Sequence, residues 1–212
     1  GQDEIFFITG EDINAVKASP QLEGFRARGI EVLLLTDPID EFWLPMVGTF
    51  QEKPLRSVTA GGFDLSKIKT DDTKPENPPE KADDVAVAKL ILALKESLGD
   101  AVRDVRATDR LTESAVCLVA GEGDMDLHLE RMLRRQGHTK VPTAARILEI
   151  NPAHVLIKAL AGMTDDVAKK SALTDAAFLL LDQARIVEGE ALVDPIGFST
   201  RLNAALARSL PA

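Results

Sequence analysis

Short apolar runs alternate with segments of helical spacing up to residue 65 of the chain. Consecutive apolar residues over about four to eight positions are typical of strands, whereas apolar residues three and four positions apart line one face of a helix. The sequence thus predicts strands over residues 5–8, 30–35 and 55–59, and helices over 11–28, with a break at Ser19-Pro20, and 38–47. Strands that alternate with helices favour a small parallel sheet with right-handed crossovers.

A different arrangement begins at residue 84. Residues 85–98 have the spacing of a strongly apolar helix, which Gly99 closes because glycine is favoured just past a helix end. The predicted fold class is α/β and α+β: a small parallel α/β/α unit followed by an α+β domain with a C-terminal helical bundle. The remaining predicted elements are strands over 102–107, 115–120 and 146–150 and helices over 124–136, 152–161, 165–187 and 195–209.

The stretch between these two regions has the composition of a linker. Residues 66–83 contain three prolines, many charged residues and a single large aliphatic residue, Ile68. Such a segment buries too little apolar surface to order itself strongly. We therefore divide the chain into residues 1–65, a linker over 66–83, and residues 84–212.

One strand-to-helix junction is defined by its sequence more closely than any other. Residues 32–35 form a continuous apolar run, which is typical of a strand covered on both faces. Asp37 can then cap the next helix, Pro38 fits its first turn, and Asp40 supplies an acidic third position. We interpret these carboxylates as structural.

Charge and cysteine content narrow the class of protein. The net charge of -9 gives no basic surface for nucleic acid, and no segment reaches the roughly 20 apolar residues of a membrane span. The single cysteine, Cys117, lies in an apolar strand-like run, where inert burial is favoured over a reactive thiol. We expect an intracellular globular protein that binds neither nucleic acid nor membranes.

No sequence motif for catalysis is complete. The chain has no Gly-x-x-x-x-Gly-Lys-Ser/Thr phosphate loop, no Gly-x-Ser-x-Gly elbow and no His-Glu-x-x-His zinc helix. His128, His138 and His154 lack a cysteine or carboxylate at metal-ligand spacing. Asp124 and Asp126 are better placed to cap a helix than to hold a cation. We expect no catalytic residue and no metal site.

An enzymatic alternative stays open at the junction described above. Asp37, Asp40 and Glu41 follow a strand at the end where open parallel sheets place their active sites. The sequence supplies no nucleophile, base or anion cradle beside these carboxylates. A small α/β enzyme is therefore the alternative interpretation and not the leading one.

Two segments resemble the heat-shock protein 90 chaperones, and the resemblance extends over nearly the whole chain. The run Glu-Val-Leu-Leu-Leu-Thr-Asp-Pro-Ile-Asp-Glu at residues 31–41 is similar to the end of that family's middle domain. The run Arg-Ile-Leu-Glu-Ile-Asn-Pro-Ala-His-Val-Leu-Ile-Lys at residues 146–158 looks like a segment of its C-terminal domain. The chain departs from the family at Pro45, inside a helix, and at Val155, where proline is common.

The resemblance implies a C-terminal fragment of a bacterial, cytoplasmic chaperone: the end of the middle domain and the C-terminal dimerisation domain. It implies homodimerisation and contact with unfolded client proteins. ATP and magnesium belong to a separate N-terminal domain of the full-length family protein, so this segment has no cofactor and is not an enzyme. A purely structural dimerisation module is a further alternative.

The helix predicted over residues 124–136 has one apolar face. Periodicity alone predicts that this face packs on the protein's own sheet. The resemblance implies instead an exposed helix that binds clients together with an aromatic residue after Asp-Pro-Ile-Asp-Glu. Two adjacent aromatic residues on a helix cannot both face one core, which leaves one of them exposed. The client-binding residues implied are Phe42, Trp43, Met125, Leu129, Met132 and Leu133.

The last two helices carry more apolar surface than a small sheet can cover. Spacing alone leaves intrachain packing and a four-helix bundle between two copies about equally favoured. The resemblance implies the dimerisation bundle. The interface residues implied are Leu173, Ala177, Leu180, Leu181, Ala184, Phe198, Leu202 and Leu206.

Overall fold

The computed structural model describes residues 2–61, 65, 68, 81–135 and 145–209. Within them lie a four-stranded and a three-stranded sheet, each covered by helices. The predicted combination of α/β and α+β structure is confirmed. The predicted linker falls almost entirely on residues 66, 67 and 69–80, which lie outside the described residues.

The first sheet is built from β1 (Ile5–Thr9), β2 (Val32–Leu35), β3 (Thr49–Phe50) and β4 (Lys53–Ser57), in the order β2-β1-β4-β3. Strand β1 runs parallel to both β2 and β4, which confirms the predicted parallel sheet. Strand β3 pairs antiparallel with β4 and was not predicted. The turn joining them is Gln-Glu, with φ of 48° and 66°, and lacks the Asn-Gly or Asp-Gly pair that usually marks such a hairpin.

Three short helical segments cover this sheet: α1 (Ile13–Lys17), a 3-10 turn (Pro20–Leu22) and α2 (Glu23–Ala27). The break at Ser19-Pro20 is confirmed, because the Ser19 side chain accepts a hydrogen bond from the Gln21 amide at 3.2 Å and starts the turn. The Phe25 ring packs edge-on against Phe6, with 5.0 Å between the ring centroids, at the centre of the first core.

The burial predicted for the second strand is wrong. Strand β2 lies at the edge of the sheet beside β1, and Leu33 is 49% exposed, while its neighbours are only half-buried. A continuous apolar run indicates a strand but does not indicate its place in the sheet, because an edge strand with one uncovered face can carry the same run.

Helix α3 (Asp40–Val47) begins two residues later than predicted, with Ile39 at its cap position, and the predicted residues form the turn before it. Asp37 Oδ1 accepts from the Ile39 amide at 3.1 Å, and Asp40 Oδ2 accepts from the Asp37 amide at 3.2 Å. This reciprocal pair satisfies amides that a helix start leaves without partners. Pro45 lies inside α3 without ending it.

The second sheet has the order β5-β7-β6, with β5 (Asp104–Ala107) parallel and β6 (Val116–Val119) antiparallel to the central β7 (Ile147–Ile150). Helix α4 (Asp84–Leu98) ends at Gly99 as predicted, and α5 (Leu127–Arg135) lies between β6 and β7 in the sequence. Residue 136, the predicted end of that helix, lies outside the described residues.

Three helices complete the chain: α6 (Val155–Ala161), α7 (Lys170–Val187) and α8 (Pro195–Ser209). Asp194 caps α8 as predicted, accepting from the Gly197 amide at 2.8 Å. The cap predicted for α6 is wrong. His154 Nδ1 accepts from the Leu156 amide at 3.1 Å, whereas Asn151 accepts from the Ala153 amide in the preceding turn.

The two sheets are joined by direct contacts. The Gly61 amide donates to the Ala120 carbonyl at 2.8 Å, and the Ala120 amide donates to the Thr59 carbonyl at 3.0 Å. A Cβ added at Gly24 would lie 2.5 Å from the Arg110 carbonyl oxygen, so only glycine permits this close approach. The units predicted as separate domains therefore share an interface.

Glu23 fastens the two units at the edge of this interface. Its carboxylate accepts hydrogen bonds from the backbone amides of Thr112, Glu113 and Ser114, the first two at 2.8 Å, and from the Ser114 hydroxyl at 2.5 Å. Partial burial alone would raise the pKa of Glu23, but the Ser114 hydroxyl and the backbone amides together lower it.

We expect Glu23→Gln to lower the free energy of unfolding at neutral pH by about 1–3 kcal/mol, because an amide accepts these bonds more weakly than a carboxylate. The folded-state pKa lies below 4.5, so this stability is present above pH 4.5 and is lost as the pH falls through the folded value. Urea unfolding across this range measures the effect. The exposed Glu31→Gln is the control, and equal losses in both variants would contradict the prediction.

Candidate functional site

Two acidic residues just before helix α5 hold the start of the helix in place. Asp126 Oδ2 accepts from the Ser57 hydroxyl at 2.5 Å and also from the Thr59 hydroxyl, while Asp126 Oδ1 accepts from the His128 amide at 2.8 Å. Asp124 accepts from Arg103 Nη1 at 2.8 Å. Asp126 thus caps the helix as predicted, and both carboxylates are engaged by protein donors.

The apolar face of α5 is not its most buried side. Leu127 and Glu130 are almost fully buried, at 1% and 2% exposure. The helix begins at Leu127 and not at the predicted residue 124, so Met125, which is 39% exposed, precedes it. Leu129, Met132 and Leu133 are half-buried. Periodicity did not predict that the charged Glu130 would lie on the buried side, and the apolar face of α5 is half-buried, between the two expectations.

The adjacent aromatic residues of α3 have different environments. Phe42 is 42% exposed, whereas the half-buried Trp43 donates from Nε1 to Asp40 Oδ1 at 2.8 Å. Leu44 enters the core in their place. The expectation that one of the pair would be exposed is confirmed, and the exposed residue is Phe42.

Helices α3 and α5 meet at Glu41 and His128. Glu41 Oε1 lies 4.0 Å from His128 Nδ1. Burial lowers the pKa of His128, and the positive charge of Arg131 lowers it further. This contact joins α3 to α5, although the two helices are some eighty positions apart in sequence.

A second buried polar network lies at the junction between the sheets. The Gln21 amide donates to Glu188 Oε1 at 3.2 Å, and Arg110 Nη1 donates to Gln21 Oε1 at 3.1 Å. Glu149 on β7 accepts from Arg106 Nη2 at 2.7 Å and lies 3.2 Å from Arg110 Nε. We call these five residues the polar junction.

The polar junction could not be predicted from the sequence. Its one visible signal was Glu149, a charged residue inside an apolar strand run, since a buried carboxylate needs a partner. The partners themselves come from distant segments, so no local spacing reveals them.

Two carboxyl groups in this region have strongly raised pKa values. Burial raises the pKa of Glu41 to about 7, against the hydrogen-bonding effect of Thr9, with a further contribution from the charge of Asp126. Burial likewise raises the pKa of Glu188 to about 7, while its hydrogen bond from Gln21 and the charge of Arg131 oppose the shift.

All five dimer-interface residues assigned to α7 lie inside the chain's own core. This buried face packs against α4 and β6, and the side chains concerned are at most 5% exposed. Side chains buried this deeply have little surface left for a second copy, so their assignment to an interface is corrected to the intrachain core. The residues are Leu173, Ala177, Leu180, Leu181 and Ala184.

Helix α8 has the opposite character, since none of its residues, all within the described range, is buried. Toward α7 it presents charged residues: Arg201 lies over the Phe178 ring at 4.4 Å, and Arg208 Nη2 lies 3.5 Å from Asp175. Leu202 and Leu206 are 37% and 54% exposed. The third interface residue predicted on this helix, Phe198, is half-buried.

The residues of the enzymatic alternative have structural roles. Asp37 and Asp40 accept hydrogen bonds from backbone amides in the turn that leads into α3, and Glu41 is buried with its Oε1 atom 4.0 Å from His128 Nδ1. Burial raises the pKa of Cys117 well above its ordinary value, which keeps the thiol protonated and inert.

The described part of the chain contains no group of histidine, cysteine and acidic side chains able to hold a metal ion. None of the helices in residues 2–61, 81–135 and 145–209 combines the length and apolar character that crossing a membrane requires. His138 lies outside the described residues, and His154 is the cap of α6.

Comparison with known proteins gives consistent matches along the whole chain. The model of the family described as Hsp90 protein matches residues 1–212. The proteins named Chaperone protein HtpG from Paramagnetospirillum magneticum and Gluconobacter oxydans are 53% and 51% identical over 99% and 98% of this chain. That of Roseobacter denitrificans is 47% identical over 99%. The chain spans about a third of the length of these relatives, 34%, 32% and 34% respectively.

We expect Glu188→Gln to stabilise the chain at about pH 8 by more than about 1 kcal/mol. Because the folded-state pKa of Glu188 is about 7 and the ordinary value is 4.5, the folded chain binds more protons between these values. Stability contributed by the group is therefore present below pH 4.5 and lost as the pH rises through 7.

Thermal or urea unfolding against pH measures this difference. His128, whose lowered pKa acts in the opposite direction, is present in both proteins and cancels in the comparison. The exposed Glu122→Gln is the matched control. A variant whose stability follows the wild-type pH curve would contradict the prediction.

Proposed function

The chain belongs to the Hsp90 protein family, and we propose that it is the C-terminal part of a bacterial molecular chaperone that assists protein folding in the cytoplasm. In this proposal the chain contributes homodimerisation and client binding. It performs no chemistry itself, and ATP with magnesium binds a separate N-terminal domain of the full-length protein.

Helix α8 is the single observation that best supports dimerisation. A helix that buries apolar residues in its own chain turns them inward, but α8 turns Arg201 and Arg208 toward α7 and leaves Leu202 and Leu206 in solvent. Covering these leucines with the same helix of a second copy gives the isologous contact of a twofold dimer. The bundle then forms through α8 and the outer side of α7.

Client binding is supported by the surface that α3 and α5 share. Phe42 and Met125 are exposed large side chains, and Leu129, Met132 and Leu133 of α5 are only half-buried. A flexible, polarisable methionine adapts to many partners, as a surface for unfolded chains requires. Trp43 is only half-buried, and its indole N–H donates a hydrogen bond to Asp40 within α3.

Leu206→Glu should convert the dimer to a folded monomer, because the substitution buries an unpaired carboxylate in the association surface but touches no residue of the monomer core. Sedimentation velocity at micromolar concentration gives the oligomeric state, and circular dichroism gives the folded content. Val167→Glu, at an 86% exposed position of a short turn, is the control and should remain dimeric. A wild-type chain that sediments as a monomer would contradict the proposed dimerisation.

The double variant Met125→Ser with Leu129→Ser should bind an unfolded protein at least tenfold more weakly while its melting temperature stays within a few degrees of wild type. Removing partly exposed apolar groups costs little folding energy but removes contact area. Fluorescence titration with a reduced, carboxymethylated protein that cannot refold measures the affinity. Leu92→Ser, at a 68% exposed position of α4, is the matched control. Unchanged affinity with a large fall in melting temperature would contradict client binding at this surface.

A further inference from the structure

The four methionines of the chain fall into two pairs with different access to solvent. Met46 on α3 and Met125, just before α5, are exposed, at 79% and 39%. Met132 and Met163 are half-buried, and Met163 packs against the core around the second sheet. The exposed pair lies where client contacts are proposed, since Met125 is one of the client-binding residues and Met46 follows Phe42 by four positions.

Met46 belongs to an apolar stripe on the outward side of α3. Glu41 and Leu44 are the buried residues of this helix and define its inward side. Residues three and four positions apart share one face of a helix, so Ile39, Phe42 and Met46 form a single stripe. All three are exposed, with Ile39 at 59% and Phe42 at 42%. A chemical change at Met46 therefore alters this stripe and touches no core contact.

The only thiol of the chain is closed to oxidants that reach these methionines. Cys117 is 2% exposed within β6, and burial raises its pKa, so the thiol stays protonated. Oxidation of cysteine proceeds through the thiolate, whereas the thioether of methionine has no proton to lose. A peroxide that meets the folded chain consequently reacts at exposed methionine and not at cysteine.

We propose that Met46 and Met125 are sites of reversible oxidation to methionine sulfoxide, and that this modification weakens client binding. The inference rests on the proposed function. In the forward step the sulfur attacks one oxygen of hydrogen peroxide, a sulfur–oxygen bond forms, the oxygen–oxygen bond breaks, and the second oxygen leaves as water. Sulfur loses two electrons and the peroxide gains them. Methionine sulfoxide reductases reverse the step, with a dithiol that becomes a disulfide and the oxygen released as water.

A sulfoxide at these two positions acts on binding and not on folding. Its oxygen accepts hydrogen bonds from water, and a client segment that covers it must displace that water without replacing the bonds. Neither Met46 nor Met125 is part of a hydrophobic core cluster, so the added oxygen costs little folding energy. The same change at Met163 would place a polar group against the core.

Treatment of the 212-residue chain with limiting hydrogen peroxide, followed by peptide mass spectrometry, tests the site assignment. We expect Met46 and Met125 to be oxidised before Met163. After removal of the peroxide, affinity for a reduced, carboxymethylated protein should be lower by about threefold or more, while the melting temperature stays within a few degrees of the untreated chain. Incubation with the two methionine sulfoxide reductases, one for each sulfoxide epimer, should restore the affinity.

Two double variants separate these sites from the other methionines. Met46→Leu with Met125→Leu keeps the apolar surface without the two thioethers, so its affinity should change less than about twofold on peroxide treatment. Met132→Leu with Met163→Leu is the matched control and should lose affinity as the wild type does.

Equal losses in both double variants would overturn the inference, as would unchanged affinity of a wild-type chain oxidised at Met46 and Met125. Either result leaves the proposed function standing, because the untreated chain still binds its client. An untreated chain that binds no client would instead contradict the proposed function, and this inference with it.

Discussion

The contact between the two sheets depends on buried polar and charged groups, which must form hydrogen bonds and ion pairs with one another because they are shielded from water. Arg110 reaches Glu149 and Gln21, and Gln21 reaches Glu188, so a single chain of polar contacts connects β7, the loop before β6, the first helical layer and the end of α7. Burying any of these groups alone costs several kcal/mol, of the order of about 3–5 for a stranded charge. The interface therefore exists in one geometry, in which every member has its partner, and the close backbone approach at Gly24 depends on that geometry.

Local structure followed from local sequence where the signal lay within a few residues. Ser19-Pro20 broke a helix, Asp37 and Asp40 formed the turn that leads into one, and Gly99 ended one, because capping and proline effects act between neighbours. The same reasoning missed β3, since its Gln-Glu turn carries no usual hairpin residues. It also named Asn151 as a cap, although His154, three residues later, has an acceptor in the right place.

The candidate site was predictable only in part, because its geometry depends on contacts between distant segments. Spacing identified the apolar residues of α5 but not which side of the helix faces the protein, since that was decided by Glu130 and its bonds to two arginines. Spacing likewise could not separate the face of α7 that packs on α4 from a face left for a partner. Helices α3 and α5 are joined by a tertiary contact between Glu41 and His128, which no sequence spacing predicts.

Helix α8 buries none of its residues in its own chain, so its helical content depends on whether another surface covers it. An isolated helix of about 15 residues is marginal in water, so a segment of this length that lacks a covering surface spends much of its time unwound. If a second copy covers α8, as proposed above, the free energy that association adds grows with the logarithm of protein concentration. The helicity of α8 would then rise with concentration, whereas each of the two sheets packs on a core within the chain itself.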